Sequence, residues 1–201
     1  IIVLMYHRFE ENKSPSTNIK IADFIKHLNL IKKKQFKFVK PTDFENDLLN
    51  KEKERKILLT IDDGFQSFYD QAWPILKKEK IPFILFVNTR EVGTRGYMDW
   101  NQIKEISKEE FAHIGNHSSS HEYLVDMKNQ EIIDDINIAS SDFKNNLGYN
   151  SPFFSYPFGE YSNNFTTIVK DLGFKYAFGQ HSGVVDETKD FYELPRFPIN
   201  E

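Results

Sequence analysis

The chain contains no cysteine. Disulfides and thiolate metal sites are therefore both excluded, and the redox compartment stays open. No apolar run approaches the length of a membrane span. No stretch of the 201 residues reads as a secretory leader, although the opening Ile1-Ile2-Val3-Leu4 looks trimmed and is compatible with a removed leader or anchor. No glycine-rich phosphate loop follows that first apolar run, so a nucleotide-binding fold has little support. There is no internal repeat and no low-complexity tract. Positive charge is not in excess either. Lys plus Arg is 26 against 30 Asp plus Glu, a net charge of -4, which gives no electrostatic argument for nucleic acid. Lysines do cluster at Lys32-Lys33-Lys34 and from Lys51 to Lys56, the latter interleaved with Glu52 and Glu54. Both clusters read as solvated faces.

What is present is a globular composition, 39% hydrophobic with 19 Phe, enough for one domain with a sizeable core. Apolar runs at 1–5, 36–39, 56–61, 82–87, 111–115, 153–156 and 174–178 read as strands. The stretches 21–34, 68–79, 100–106, 131–147 and 165–172 carry helical spacing. Pro74 is expected to break the 68–79 helix near Trp73. Thr42 is the expected cap of a helix that opens at Pro41-Thr42-Asp43-Phe44 and carries Phe44, Leu48 and Leu49, and Asp99 of the helix from Trp100. Gly148 is expected to end the long helix. Strands alternating with helices imply an α/β fold with mostly parallel strands, about seven in number, in a closed or nearly closed barrel.

Two stretches carry chemistry. The apolar run Leu58-Leu59-Thr60-Ile61 stops at Asp62-Asp63-Gly64, which delivers two carboxylates to one sheet edge. Neighbours in extended chain point opposite ways, so one acid can bind a cation while the other stays free as a base. In His117-Ser118-Ser119-Ser120-His121 two imidazoles stand four residues apart, on one face if the segment is helical. Two histidines and one Asp suit zinc and leave a coordination position open. His7 follows the first strand. His113 reads as structural, His27 as a solvent-facing helical residue, and His181 as lying away from the site.

These motifs, with Ser155-Tyr156-Pro157-Phe158-Gly159 as a weaker third, resemble the polysaccharide deacetylases of the carbohydrate esterase 4 type, the NodB-homology domain. His7 in Leu4-Met5-Tyr6-His7-Arg8 and Met98-Asp99-Trp100 resemble the circularly permuted branch that acts on biofilm poly-N-acetylglucosamine. The resemblance spans 1–201 as one catalytic domain, with the extended end at Glu201 pointing to an absent C-terminal part. It implies a distorted, TIM-like (β/α)7 barrel. It also implies a metal-dependent hydrolase that removes N-acetyl groups from N-acetylglucosamine-containing polysaccharide and releases acetate. Asp63, His117 and His121 would be the metal ligands, for Zn2+ or else Co2+ or Ni2+. Asp62 would be the general base and His7 the general acid. The backbone N–H of Tyr156 would hold the oxyanion, and Tyr156 and Trp100 would border the substrate.

The family's third motif has an arginine that orients the catalytic Asp. Phe153, Phe154 and Ser155 offer no replacement, and Arg196 is expected to approach Asp62 from another strand. The implied partner is an N-acetylated glycan, with no nucleic acid, no transmembrane segment and an unspecified oligomeric state. The implied location is extracytoplasmic. Alternatives from the residues alone are a metal-dependent esterase, a small-amide amidohydrolase, or a non-catalytic glycan-binding module using Tyr97, Trp100 and Tyr161.

Overall fold

The computed structural model describes residues 1–50 and 54–201, so the 51–53 part of the second lysine cluster lies outside the described residues. In chain order the first half comprises β1 (Ile2–Tyr6), β2 (Arg8–Phe9), β3 (Asn18–Ile19), α1 (Ile21–Lys33), β4 (Lys37–Phe38), α2 (Phe44–Leu49), β5 (Lys56–Ile61), α3 (Trp73–Glu79) and β6 (Phe83–Val87). The second half comprises α4 (Trp100–Ser107), β7 (Ala112–Asn116), α5 (Asn129–Leu147), β8 (Phe153–Ser155), α6 (Asn163–Asp171), β9 (Tyr176–Phe178) and β10 (Phe197–Pro198).

The main sheet runs β10-β1-β5-β6-β7-β8-β9, and every pairing in it is parallel. A short pairing of β4 adds to the start of β5. The segment leading into β10 also bridges the far edge, where Leu194 pairs with Phe178. The sheet is thus curled and partly open, the expected distorted barrel of seven staves with its closure carried by the last ten residues.

Period-two alternation divides the core. Val3, Leu58, Ile84, Phe86 and Phe178 face the barrel interior in one buried cluster. Leu59, Ile61, Phe83, Leu85 and Val87 face outward, under Phe24 and Leu28 of α1, Leu76 of α3 and Ile103 of α4. A third cluster, around Phe154, Tyr156 and Phe165, seals α5 and α6 over β8 and β9.

Local signals behave as the residues dictate, with two exceptions. Asp99 caps α4 in a reciprocal capping box with Gln102, and Gly148 ends α5 in the left-handed region at φ 81°. The expected break near Trp73 does not occur: a π-helical stretch Phe68–Ala72 runs straight into α3, with Ala72 and Trp73 both right-handed helical, because the wider π turn accommodates Pro74 in the first turn of α3 without ending the helix. Thr42 is not the cap of α2, because Pro41–Asp43 already forms a 3-10 turn and Asp43 takes the cap position without a side-chain bond.

Because the staves are parallel, their C-terminal ends share one edge. Tyr6 is in register with Ile61, and Val87 with Asn116. His7 and Asp62 therefore leave the sheet side by side, and His117 leaves the same edge two strands along, beyond β6.

Candidate active site

Asp62 continues the inward alternation of Leu58 and Thr60, and its N–H still bonds the Tyr6 carbonyl at 2.9 Å. Its carboxylate enters the barrel interior, where it is 2% exposed. Arg196, 1% exposed, meets it as a fork, Nη1 donating to Oδ1 and Nη2 to Oδ2, both at 2.8 Å. The remaining guanidinium donors reach Thr60 Oγ1 (3.2 Å), Ser155 Oγ (2.9 Å) and the Gly179 carbonyl (2.8 Å), so all five are engaged. The Phe86 and Phe178 rings flank the guanidinium. Ser155 Oγ also donates to Asp62 Oδ2 at 3.1 Å. Arg196 thus sits where the sequence placed it. Ser155 does not replace the absent motif arginine, but its hydroxyl adds a further bond to the base. Burial alone would raise the Asp62 pKa, but Arg196, with help from His117, holds the carboxyl well below the usual range.

Asp63 turns the other way. At φ 76° it occupies the left-handed region, and Gly64 follows at φ 75°. This strain, of order 1 kcal/mol for a non-glycine residue, reverses the chain and aims the second carboxylate at the histidines. Asp63 Oδ1 lies 3.3 Å from His117 Nε2 and 3.2 Å from His121 Nε2. The same atom is buried and has no hydrogen-bond partner among the described residues.

The two imidazoles are not on a helix. Residues 117–121 form an irregular turn with Ser118 at φ 67° and His121 at φ 53°. The expected helical face is wrong because three serines are weak helix formers and their backbone groups find other partners. The i, i+4 spacing nevertheless converges. His117 Nδ1–H donates to the Ser155 carbonyl at 2.7 Å, which fixes the tautomer that leaves the Nε2 lone pair free. Burial works against a charged His117, yet Asp63 and Asp62 raise its pKa. His121 is pushed down to about 4, by burial first and by its neighbour His117 second.

The donor set fits a divalent metal. One ligand atom from each of Asp63, His117 and His121 lies within 4.8 Å of the others. Bonds of about 2.0 Å in a tetrahedral site put ligand atoms about 3.3 Å apart, the spacing seen at Asp63 Oδ1. An orphaned carboxylate oxygen facing two imidazole lone pairs is otherwise unfavourable.

A cleft of about 340 Å³ opens over this cluster and is lined by His7, Asp62, Asp63, His121, Phe158 and Arg196 among others. Burial lowers the His7 pKa, opposed by Asp62 and Asp63. Two expectations fail here. The Tyr156 N–H bonds the Phe178 carbonyl at 3.0 Å as part of the β8–β9 pairing, so it cannot serve an oxyanion. Pro157 has no N–H. The next one belongs to Phe158, which lines the cleft at φ 59° and has no backbone acceptor among the described residues. Trp100 is not among the residues lining the cleft. As the first residue of α4 it packs edge-on against Phe143 of α5, at 6.2 Å between ring centroids.

The other histidines stay out of the cluster. His113 Nε2 pairs with Ser151 Oγ at 3.0 Å. His27 is half-buried beside the Tyr6 hydroxyl rather than facing solvent. His181 is exposed beside Tyr161.

A parallel, curled α/β sheet with an arginine-clamped carboxylate beside an Asp-His-His cluster able to hold a divalent metal is that of a metal-dependent hydrolase of the deacetylase type. The chain belongs to the polysaccharide deacetylase family, whose model matches residues 49–177. A poly-beta-1,6-N-acetyl-D-glucosamine N-deacetylase of Staphylococcus aureus (strain MRSA252) is 28% identical over 161 residues, covering 74% of this chain and 56% of the relative. The chain thus spans little more than half the length of that relative. The structure of IcaB from Ammonifex degensii superposes with a TM-score of 0.92 at 26% identity, covering 99% of this chain and 91% of that one. The Streptococcus pyogenes deacetylase PplD in complex with acetate shares the fold, with a TM-score of 0.90 at 23% identity over 100% of this chain and 92% of its own.

Proposed function

We propose that the protein removes N-acetyl groups from an N-acetylglucosamine-containing polysaccharide outside the cytoplasm, releasing acetate and leaving free amines. The observation that carries this reading is the division of labour between two adjacent carboxylates, Asp62 clamped by Arg196 and Asp63 aimed at two imidazoles. The S. aureus relative, whose name specifies that substrate, supports the choice of glycan.

Asp63, His117 and His121 would hold the metal, zinc by the chemistry of the donors. When bound it supplies Lewis acidity to the acetamide carbonyl and to water. Asp62, kept ionised by the Arg196 fork, takes a proton from the attacking water as its oxygen bonds the carbonyl carbon. The fork limits the basicity of Asp62 but fixes its lone pairs in place. The Phe158 N–H is the backbone donor available to the carbonyl oxygen as it gains charge. His7 then delivers a proton to the departing nitrogen as the C–N bond breaks, because an amine anion is too poor a leaving group. The exposed rings of Phe158 and Tyr123, 5.7 Å apart beside His121, offer an apolar platform for the face of a sugar.

The test is acetate release from β-1,6-linked N-acetylglucosamine oligomers, with and without chelator, beside the D62N protein and an O-acetylated sugar. The reading requires metal-dependent release from the amide that falls by about a hundredfold or more in D62N. Release from the ester alone would point to an esterase. Oligomer binding without any acetate release would point to a glycan-binding module.

A further inference from the structure

The segment between the two metal-cluster histidines, Ser118-Ser119-Ser120, belongs to no helix or strand. It nevertheless has to hold His117 and His121 at one point through two left-handed residues. Its backbone is tied on both sides. The Ser118 and Ser119 carbonyls accept from the N–H groups of Thr89 (3.2 Å) and Arg90 (3.0 Å), just past β6. The Ser118 N–H bonds Asn116 Oδ1 at 2.8 Å, and the His121 N–H bonds Ser118 Oγ at 3.0 Å. The two N–H groups in between, of Ser119 and Ser120, both go to one side chain from a distant helix. Asp135 of α5 accepts from Ser119 at 2.8 Å through Oδ1, and from Ser120 at 3.3 Å and 3.1 Å through Oδ1 and Oδ2.

Asp135 is 8% exposed, and no ion pair among the described residues includes it. A buried carboxylate without a cation is costly unless N–H groups solvate it. Here two consecutive N–H groups do so, and they belong to the turn that carries the histidines. Their orientation is useful only if that turn keeps its strained shape.

We propose that Asp135 is a positioning residue for the metal cluster, fixing the distance of His121 from Asp63 and His117 through the backbone between them. This rests on the reading of Asp63, His117 and His121 as metal ligands, and not on the identity of the glycan. His117 has its own anchors, the end of β7 and the Ser155 carbonyl, so the loss of Asp135 acts through His121. Asp135→Asn keeps the size but presents one acceptor and one donor to two donors. The turn then loses a partner and its left-handed residues relax.

The experiment measures zinc affinity of the whole chain by competition with a chromogenic chelator, together with deuterium exchange at the Ser119 and Ser120 amides in metal-free protein. D135N is expected to bind zinc about 10- to 100-fold more weakly, the usual cost of losing an outer support of a ligand. Both amides are expected to exchange faster in D135N, while Asp135→Glu, which keeps a carboxylate, recovers most of the affinity. Zinc binding by D135N within twofold of the parent overturns the proposal, as does weakened binding that Asp135→Glu leaves unchanged. Should D135N fail to fold, the parent protein decides: Ser119 and Ser120 amides protected without metal support the proposal, and amides exchanging at the free-chain rate overturn it. Absence of zinc binding by the parent sinks the metal reading itself. Absence of acetate release alongside these results sinks only the substrate.

Discussion

Both oxygens of Asp62 are engaged by Arg196, and Ser155 adds a third bond, whereas Oδ1 of Asp63, one residue on, has two imidazole nitrogens beside it and no hydrogen bond among the described residues. Asp62 is buried and Asp63 is half-buried at the rim of the cleft, and the two differ most in what the fold supplies to each. One charge is balanced inside the barrel by a buried cation. The other is left unbalanced at the rim, facing donors that share its need. A protein keeps such an arrangement when a ligand completes it. The contrast therefore assigns stability to the Asp62 side and ligand binding to the Asp63 side, and each assignment can be broken separately.

The largest effect is expected at Arg196. Arg196→Met strands a buried carboxylate, at a cost of about 3–5 kcal/mol in urea-denaturation stability, and removes the clamp on the base, so turnover falls as well. Near-parental stability would show that the fork is dispensable. Next come the two acids compared in chelator. Asp62→Asn leaves the guanidinium short of its countercharge and should lose about 2–3 kcal/mol, while Asp63→Asn relieves an orphaned oxygen and should lie within about 0.5 kcal/mol of the parent, or above it. Equal losses would erase the contrast.

An effect confined to acid pH comes from a third kind of ionisable group, half-buried and kept neutral. Burial pushes His113 from 6.5 down to about 4. Its folded pKa lies below its unfolded one, so the unfolded chain takes up the proton first as pH falls. This contribution is complete above about pH 6.5 and is lost toward pH 4, by about 3 kcal/mol at most. His113→Gln should flatten that part of the stability-pH curve and leave metal content unchanged. A curve as steep as the parent's would place the acid sensitivity elsewhere.

Much of this was legible in the residues. The alternation of apolar runs and amphipathic stretches gave the α/β barrel, and the turn after Ile61 gave two carboxylates with different directions. The histidine pair was legible as spacing but not as conformation, since a strained turn meets the i, i+4 requirement as well as a helix does. Arg196 could be nominated only because the family resemblance implies an arginine that the third motif lacks here, since 134 residues separate it from Asp62 and only closure of the barrel joins them. The Tyr156 N–H failed as a donor because pairing with β9 uses it, which no local signal reveals. Trp100 failed because the position of α5, and not its own cap, decides where its ring goes. Asp135 was invisible for the same reason. Its carboxylate matters through two backbone groups, and backbone groups leave no mark in a sequence.

The central claim is that Asp63, His117 and His121 gather one divalent cation beside a carboxylate that takes no part in holding it. Zinc titration of D62N and D63N in parallel, by calorimetry on metal-free protein, tests it most directly. The account predicts one equivalent bound by D62N with an affinity close to the parent's, and binding by D63N weakened by at least a hundredfold. Equal zinc binding by the two proteins, or loss confined to D62N, would contradict it.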